Sequence, residues 1–334
     1  ISMQSKYRRT DYKSTEIRHV VVTGFIDIEA IKNFCDELFH DDHCQVQTNA
    51  ILIQDHDPIP DIEIFIQKYN KLMTYLAGDP LSSEDLMRAK THRASACILL
   101  TNKNSSNSSE EDYRNILIAL AIKKFVYDKK KEQKEDSQSN IKLCMQLIKP
   151  ESKDLYYKSL NLSPLQDQLI IVEEIKMNLL AKSCFAPGLI AMISNLISSA
   201  GDVNTDIIDG DWFVEYAEGL GHEIYRMQIL QEDFPDNIGF KKISEIAYSE
   251  YSAIVFALEI QSRAVTSKSI IRLNPNYFMF KDWHLYNYHL YIICEDEEVA
   301  QNIQKLEMPE EKYERLFGRP RTKKDAKNEK GLDQ

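Results

Sequence analysis

"HVVVTGFIDIEAIKNFCDELFHDDH", residues 19–43, is the stretch on which the reading of the fold turns. It begins with a continuous apolar run that ends at Gly24, the pattern of a strand buried on both faces of a parallel sheet. Apolar residues at 28, 31, 34, 35, 38 and 39 then fall at helical spacing, with Asp27 placed to cap the helix. The unit opens like a nucleotide-binding domain, yet a pyrophosphate site needs several glycines so that backbone can approach it at a helix N-terminus. Here Phe25, Ile26 and Asp27 fill the turn, and bulk and negative charge disfavour phosphate. Asp55 ends the second strand, where a ribose-binding acid often sits, but the lone glycine leads us to expect no NAD or other dinucleotide.

Outward from this unit the pattern repeats. "TNAILIQD" (48–55), "LMTYLAGD" (72–79), "ASACILLTN" (94–102) and "IKLCMQLIK" (141–149) read as four further strands. Helical spacing over 61–70, 82–93 and 113–128 lies among them, and 129–140 reads as a charged loop. Strands alternating with helices specify an α/β doubly wound parallel sheet. After Pro150 the rhythm changes. Residues 168–184 and 188–199 read as two helices broken at Ala186-Pro187-Gly188. Short strands are expected around Gly219 and Gly221 within 211–229, a helix running into a strand over 241–261, and strands at 269–275 and 289–296. The expected organisation is a linker or tail (1–16), a sheet domain (17–166), a helix-turn-helix crossover (167–200), a small C-terminal α+β subdomain (201–307) and a charged tail (308–334).

The chain has 334 residues, 43% apolar and 28% charged, with a formal net charge of −11. That charge argues against a nucleic-acid or anionic-membrane surface and is compatible with cation binding. The most apolar stretch, 183–200, contains Pro187, Asn195 and several serines, too polar to span a bilayer. Cysteines 35, 44, 97, 144, 184 and 294 form no C-x-x-C pair and read as reduced intracellular thiols. There is no signal peptide and no initial Met, so the chain reads as part of something longer. No G-x-S-x-G, H-E-x-x-H or P-loop occurs, and nothing pairs a nucleophile with a base, so no enzyme activity is expected.

"HDDH" (40–43) could be a metal site, a catalytic pair or a solvated turn, and composition alone favours the turn. Calcium takes six to eight hard oxygen donors, many of them backbone carbonyls. No EF-hand loop is present, so a calcium site would be assembled from distant segments. "EGLGHE" (218–223) is one candidate, since Gly219 and Gly221 free the backbone to turn carbonyls inward and Glu223 supplies charge. Unaided, a strand-turn with exposed acids is the preferred reading there. "SSAGDVNTDIIDGD" (198–211) is a third acidic stretch of the same sort.

"HVVVTGFIDIEAIKNFCDELFHDDHCQV", "AGDPLSSEDLMRAKTHRASACILLTNK", "LLAKSCFAPGLIAMISNL", "DWFVEYAEGLGHEIY" and "IRLNP…LYIICED" occur in this order. Together, over residues 17–305, they resemble the first regulator-of-potassium-conductance (RCK) domain of large-conductance calcium-activated (BK-type) potassium channels. The resemblance implies a Rossmann-like sheet, a helical crossover that clasps a neighbour, and a small C-terminal subdomain. It also implies a calcium site with one carboxylate from the turn after the first helix, matched by Asp42. A second carboxylate is matched by Glu223, a carbonyl by Gly221, and a further carbonyl by Gly201 or Asp202. His40 matches a histidine linked to proton sensing.

Departures from the family pattern are equally specific. The two acids of its magnesium site fall at Asn49 and Thr74, so that site is expected to be missing. A serine ending the last strand is matched by Cys294, a proton-sensing histidine by Tyr69, and a further acid has no counterpart around 282–285. The implied function is a cytosolic calcium-sensing module at the cytoplasmic face of a membrane, within a tetrameric gating ring. It would meet a second RCK domain or another copy through the crossover helices, and the pore helices through the N-terminal linker. Two alternatives stand beside this: a scaffold that retains the fold without a working sensor, and a nucleotide-dependent enzyme.

Overall fold

The computed structural model describes residues 5–13, 17–40, 48–69, 71–133, 141–160, 167–199, 211–234, 238–264, 269–307 and 310–317. The chain divides into two units, Ile1–Ile190 and Ala191–Gln334.

In the first unit a short helix α1 (Lys6–Arg9) precedes β1 (Arg18–Gly24), α2 (Ile28–Leu38), β2 (Thr48–Gln54), α3 (Pro60–Lys68) and β3 (Met73–Ala77). Then follow α4 (Ser83–Arg88), β4 (Ala96–Leu100), α5 (Ser108–Gln133), β5 (Lys142–Leu147), α6 (Pro150–Leu160), β6 (Gln168–Ile171) and α7 (Val172–Ser183). The six strands form one sheet in the order β3-β2-β1-β4-β5-β6, and every pairing is parallel. The strands are apolar runs because both faces are covered, and successive side chains go to opposite faces. Val20, Val22, Ala50, Leu52 and Tyr75 join Ile31 and Cys35 of α2 and Ile62 and Phe65 of α3 in one core. Val21, Ile51, Ile53, Leu76 and Leu99 join Leu86 of α4, the Ile116–Val126 face of α5 and Tyr156 of α6 in the other.

α8 (Leu189–Ile197) runs across the division between the units. The second unit holds α9 (Asp211–Leu220), β7 (Glu223–Ile229), α10 (Phe240–Tyr251), β8 (Ile254–Ser262), β9 (Ser269–Leu273), β10 (Tyr286–Cys294), α11 (Glu297–Gln304) and α12 (Glu310–Phe317). Its sheet is antiparallel, in the order β7-β10-β8-β9. Phe240, Ile243 and Ile246 of α10 and Ala300 and Ile303 of α11 pack with Leu290 and Ile292 in its core.

The α/β class and the doubly wound sheet are as the sequence indicates, with four corrections. A sixth parallel strand, β6, occupies the start of what reads as helix 168–184, and the sheet therefore extends beyond residue 166. α5 continues to Gln133, into the stretch read as a charged loop. Residues 211–220 are helical rather than stranded: "DWFVEYAEGL" carries apolar residues at helical spacing, and Gly219 is tolerated in the last turn. Finally, the stretch read as a charged tail opens with α12, whose Tyr313 is buried and whose Leu316 and Phe317 join the second core.

Candidate functional site

In an open parallel sheet ligands bind where the strand order reverses, here at the carboxyl ends of β1 and β4. Gly24 stands at that point with φ +91°, and a Cβ there would come within 2.2 Å of the Leu100 carbonyl oxygen. The Phe25 N–H donates to the same oxygen at 3.0 Å. The glycine thus serves a closed seam between two strands rather than an approach to phosphate. At the start of α2 the Asp27 Oδ1 accepts from the Ala30 N–H at 2.7 Å, which places a fixed carboxylate where a phosphate would bind. Asp55 Oδ2 lies 3.5 Å from Arg114. These residues do not fit a dinucleotide.

The other end of α2 has the opposite character. Its last turn carries Asp36 and Glu37, no basic residue, and the negative end of the helix dipole. The His40 N–H donates to the Glu37 carbonyl at 3.2 Å, and the residue is half-buried. Tyr69, at the end of α3, donates its hydroxyl to Asp36 Oδ1 at 3.2 Å and lies 5.4 Å from the Phe39 ring. Asp42, two residues beyond His40, lies outside the described residues.

In the second unit Gly221 occupies the turn after α9, and Glu223 opens β7 as a half-buried residue. Among the described residues β7 is an edge strand, paired only with β10, and the antiparallel register sets Glu223 opposite Cys294. The Tyr225 hydroxyl donates to Glu223 Oε2 at 3.5 Å. The Cys294 thiol donates to the Asp296 carbonyl at 3.2 Å, and burial followed by the nearby Asp296 charge pushes its pKa up to about 12. It is therefore a neutral thiol, a poor partner for a hard cation. Asp296 is itself spent on the Val299 N–H as the cap of α11.

Glu223 and Gly221 supply a carboxylate and a backbone carbonyl, the donor chemistry calcium prefers. Gly201 and Asp202, like Asp42, lie outside the described residues, and no three His, Cys, Asp or Glu side chains cluster as metal ligands among those described. At the positions of the family's magnesium acids, Asn49 is buried and donates through Nδ2 to the Tyr12 hydroxyl at 3.1 Å, and Thr74 stands on β3 opposite Ile51.

Sequence reading passed over two buried polar groups. On the second sheet, Arg226 Nε donates to Glu259 Oε2 at 2.8 Å, Tyr291 reaches the same oxygen at 3.3 Å, and His289 is the register partner of Glu259. In the first unit, Lys123 and Asp167 form a buried ion pair at 2.8 Å, with the Tyr156 hydroxyl 2.8 Å from the same carboxylate. The available signal was a charged residue embedded in an apolar run.

A profile of the calcium-activated potassium channel slowpoke-like RCK domain matches residues 15–155, and one of the calcium-activated BK potassium channel alpha subunit matches residues 167–258. The chain is 27% identical over 259 residues to the calcium-activated potassium channel slowpoke of Drosophila melanogaster, which covers 77% of this chain and 20% of the relative. It is similar in fold to the human SLO3 gating ring, with a TM-score of 0.61 at 18% identity, covering 86% of this chain and 46% of that one. The chain thus spans about a fifth of its curated relative and under half of the gating-ring chain. The parallel sheet, the antiparallel sheet of the second unit and the two family matches agree: over residues 15–155 and 167–258 the chain matches the RCK domains of BK-type potassium channels.

Proposed function

We propose that this chain is a calcium-sensing module of the cytosolic gating ring of a calcium-activated potassium channel, the first RCK domain of its polypeptide. The observation that carries the reading is Glu223 at the head of β7, directly after the turn at Gly221. Calcium would be held by oxygens of Asp42, Glu223, Gly221 and either Gly201 or Asp202. The acidic, cation-free last turn of α2, which leads toward Asp42, supports this through its dipole.

Bound calcium favours one conformation of the module over another, and the difference in affinity is the energy available for gating, about 1–3 kcal/mol per site. Residues 1–16 pass the change to pore helices. The crossover helices supply the contact with a second RCK domain or another copy, because Ile175, Met177, Leu180, Phe185, Met192 and Ile197 all expose apolar surface. None of the described helices is long and apolar enough to cross a membrane, and the module works at the cytoplasmic face of one. It is a regulatory domain, not an enzyme.

Isothermal calorimetry tests the site. Calcium added to the wild-type chain is expected to give a saturable isotherm that the Asp42→Ala, Glu223→Ala double variant lacks. An isotherm unchanged by both substitutions discards the assignment.

A further inference from the structure

Residues 5–13 stand at the start of the chain, where the sequence suggests a linker. They are not free in the structure. Tyr12 is buried, its ring lies 4.9 Å from that of His19, and its hydroxyl accepts from Asn49 on β2 at 3.1 Å. The Tyr12 N–H donates to the Arg88 carbonyl at 3.0 Å. Tyr7 packs edge-on against Tyr75 of β3 at 5.4 Å and donates to Glu63 of α3 at 2.7 Å.

The Arg88 guanidinium organises this contact. It sits at the end of α4 with a side chain only 15% exposed. Nη2 donates to the carbonyls of Tyr7 at 3.1 Å and Thr10 at 2.9 Å, and Nε donates to Thr10 at 3.3 Å and lies 3.4 Å from Asp11 Oδ1. Nη1 donates to the Ala77 carbonyl at the end of β3, at 3.2 Å, and to Asp85 Oδ1 at 2.6 Å. Asp85 is fixed in turn, since its Oδ2 accepts from the Asp79 N–H at 2.9 Å. A planar, permanently charged fork therefore bridges three backbone carbonyls, two on the N-terminal segment and one on the sheet. Carbonyl recognition of this kind requires a particular path of the backbone but no particular side chains along it.

We infer that Arg88 is the positioning residue that locks residues 5–13 onto the β3 edge of the sheet, so that a pull on the chain's N-terminal side is borne by the sheet domain itself. This deepens the gating proposal and rests on its reading of residues 1–16 as the incoming linker. Lysine cannot replace the arginine, because an ammonium has three donors, no fork, and cannot span both arms of the contact. The exposed Lys6–Glu63 pair, at 3.2 Å, is peripheral to the lock.

The test is hydrogen exchange with mass spectrometry and limited trypsin digestion of the 334-residue chain, comparing wild type with Arg88→Ala, Arg88→Lys and Lys6→Ala. In Arg88→Ala, exchange over 5–13 and cleavage after Arg8, Arg9 and Lys13 should rise about tenfold or more, with protection of β1, β2 and β4 retained. Arg88→Lys should unlock the segment in the same way, and Lys6→Ala should match wild type. Unchanged protection of 5–13 in Arg88→Ala overturns the inference, as does an equal loss of protection across the whole sheet. If the alanine variant does not fold, the lysine variant is judged by the same two outcomes. Repeating the exchange with calcium separates the two proposals. No calcium response in wild type counts against the sensor, and the Arg88 comparison still decides the lock.

Discussion

Glu223 and Cys294 face each other across the β7–β10 pair, the first residue of one strand opposite the last residue of the other. A hard carboxylate thus shares the end of the sheet with a soft, neutral thiol. If Glu223 is a calcium donor, Cys294→Ser puts a hydroxyl oxygen in that neighbourhood. The expected result by calorimetry is calcium affinity raised by about tenfold, about 1.4 kcal/mol, with Cys294→Ala giving no gain.

The thiols should also sort by environment. Cys35 and Cys294 are buried and pushed up to about 12, chiefly by burial, and Cys97 is fully buried. Cys184 is exposed. At neutral pH iodoacetamide should label Cys184 in the native chain well before Cys35, Cys97 or Cys294, as read by peptide mass spectrometry. Comparable labelling of Cys294 would contradict the packing around the end of β10.

Lys123 and Asp167 hold a charge pair almost wholly out of solvent. Removing one partner strands the other, so Lys123→Ala should cost about 3–5 kcal/mol in urea unfolding. The double replacement Lys123→Met, Asp167→Leu should cost less than the single one, because no charge is then left buried. A single-variant loss under about 1 kcal/mol would mean that water reaches the pair.

Acid should weaken the second unit through His289. Burial, with Arg226 adding to it, lowers its pKa from 6.5 to about 4, so the fold keeps the imidazole neutral while the unfolded chain protonates it below 6.5. Its contribution is therefore complete above pH 6.5 and is lost as the pH falls toward 4, with a slope of at most about 1.4 kcal/mol per pH unit. Glu259 acts in the same direction at lower pH. Burial raises its pKa, but the bonds from Arg226 and Ser269 outweigh that and hold it below the usual range. Chemical unfolding followed from pH 7 to pH 4.5 should show a shallower fall for His289→Gln than for wild type.

The sheet was legible because parallel strands buried on both faces leave uninterrupted apolar runs, as in residues 20–22 and 50–53. β6 escaped because four residues, "QLII", run straight into a helix and carry no turn signal between. Residues 211–220 were misread because two nearby glycines suggest a turn, whereas the helix places one of them in its final turn. Residue types alone made Gly221 and Glu223 candidates, but an acid after a glycine turn is common on any surface, and only the resemblance raised them above the strand-turn reading. Arg88 was invisible for a different reason: its partners are carbonyls, and a backbone acceptor leaves no mark on residue type.

Ile171 is both the last residue of β6 and the N-cap of α7. Strand and crossover helix therefore meet without slack, and a torque on α7 has no loop in which to dissipate. It falls on the four-residue ladder between Cys144–Leu147 and Gln168–Ile171. That short outermost strand is where such a load enters the sheet.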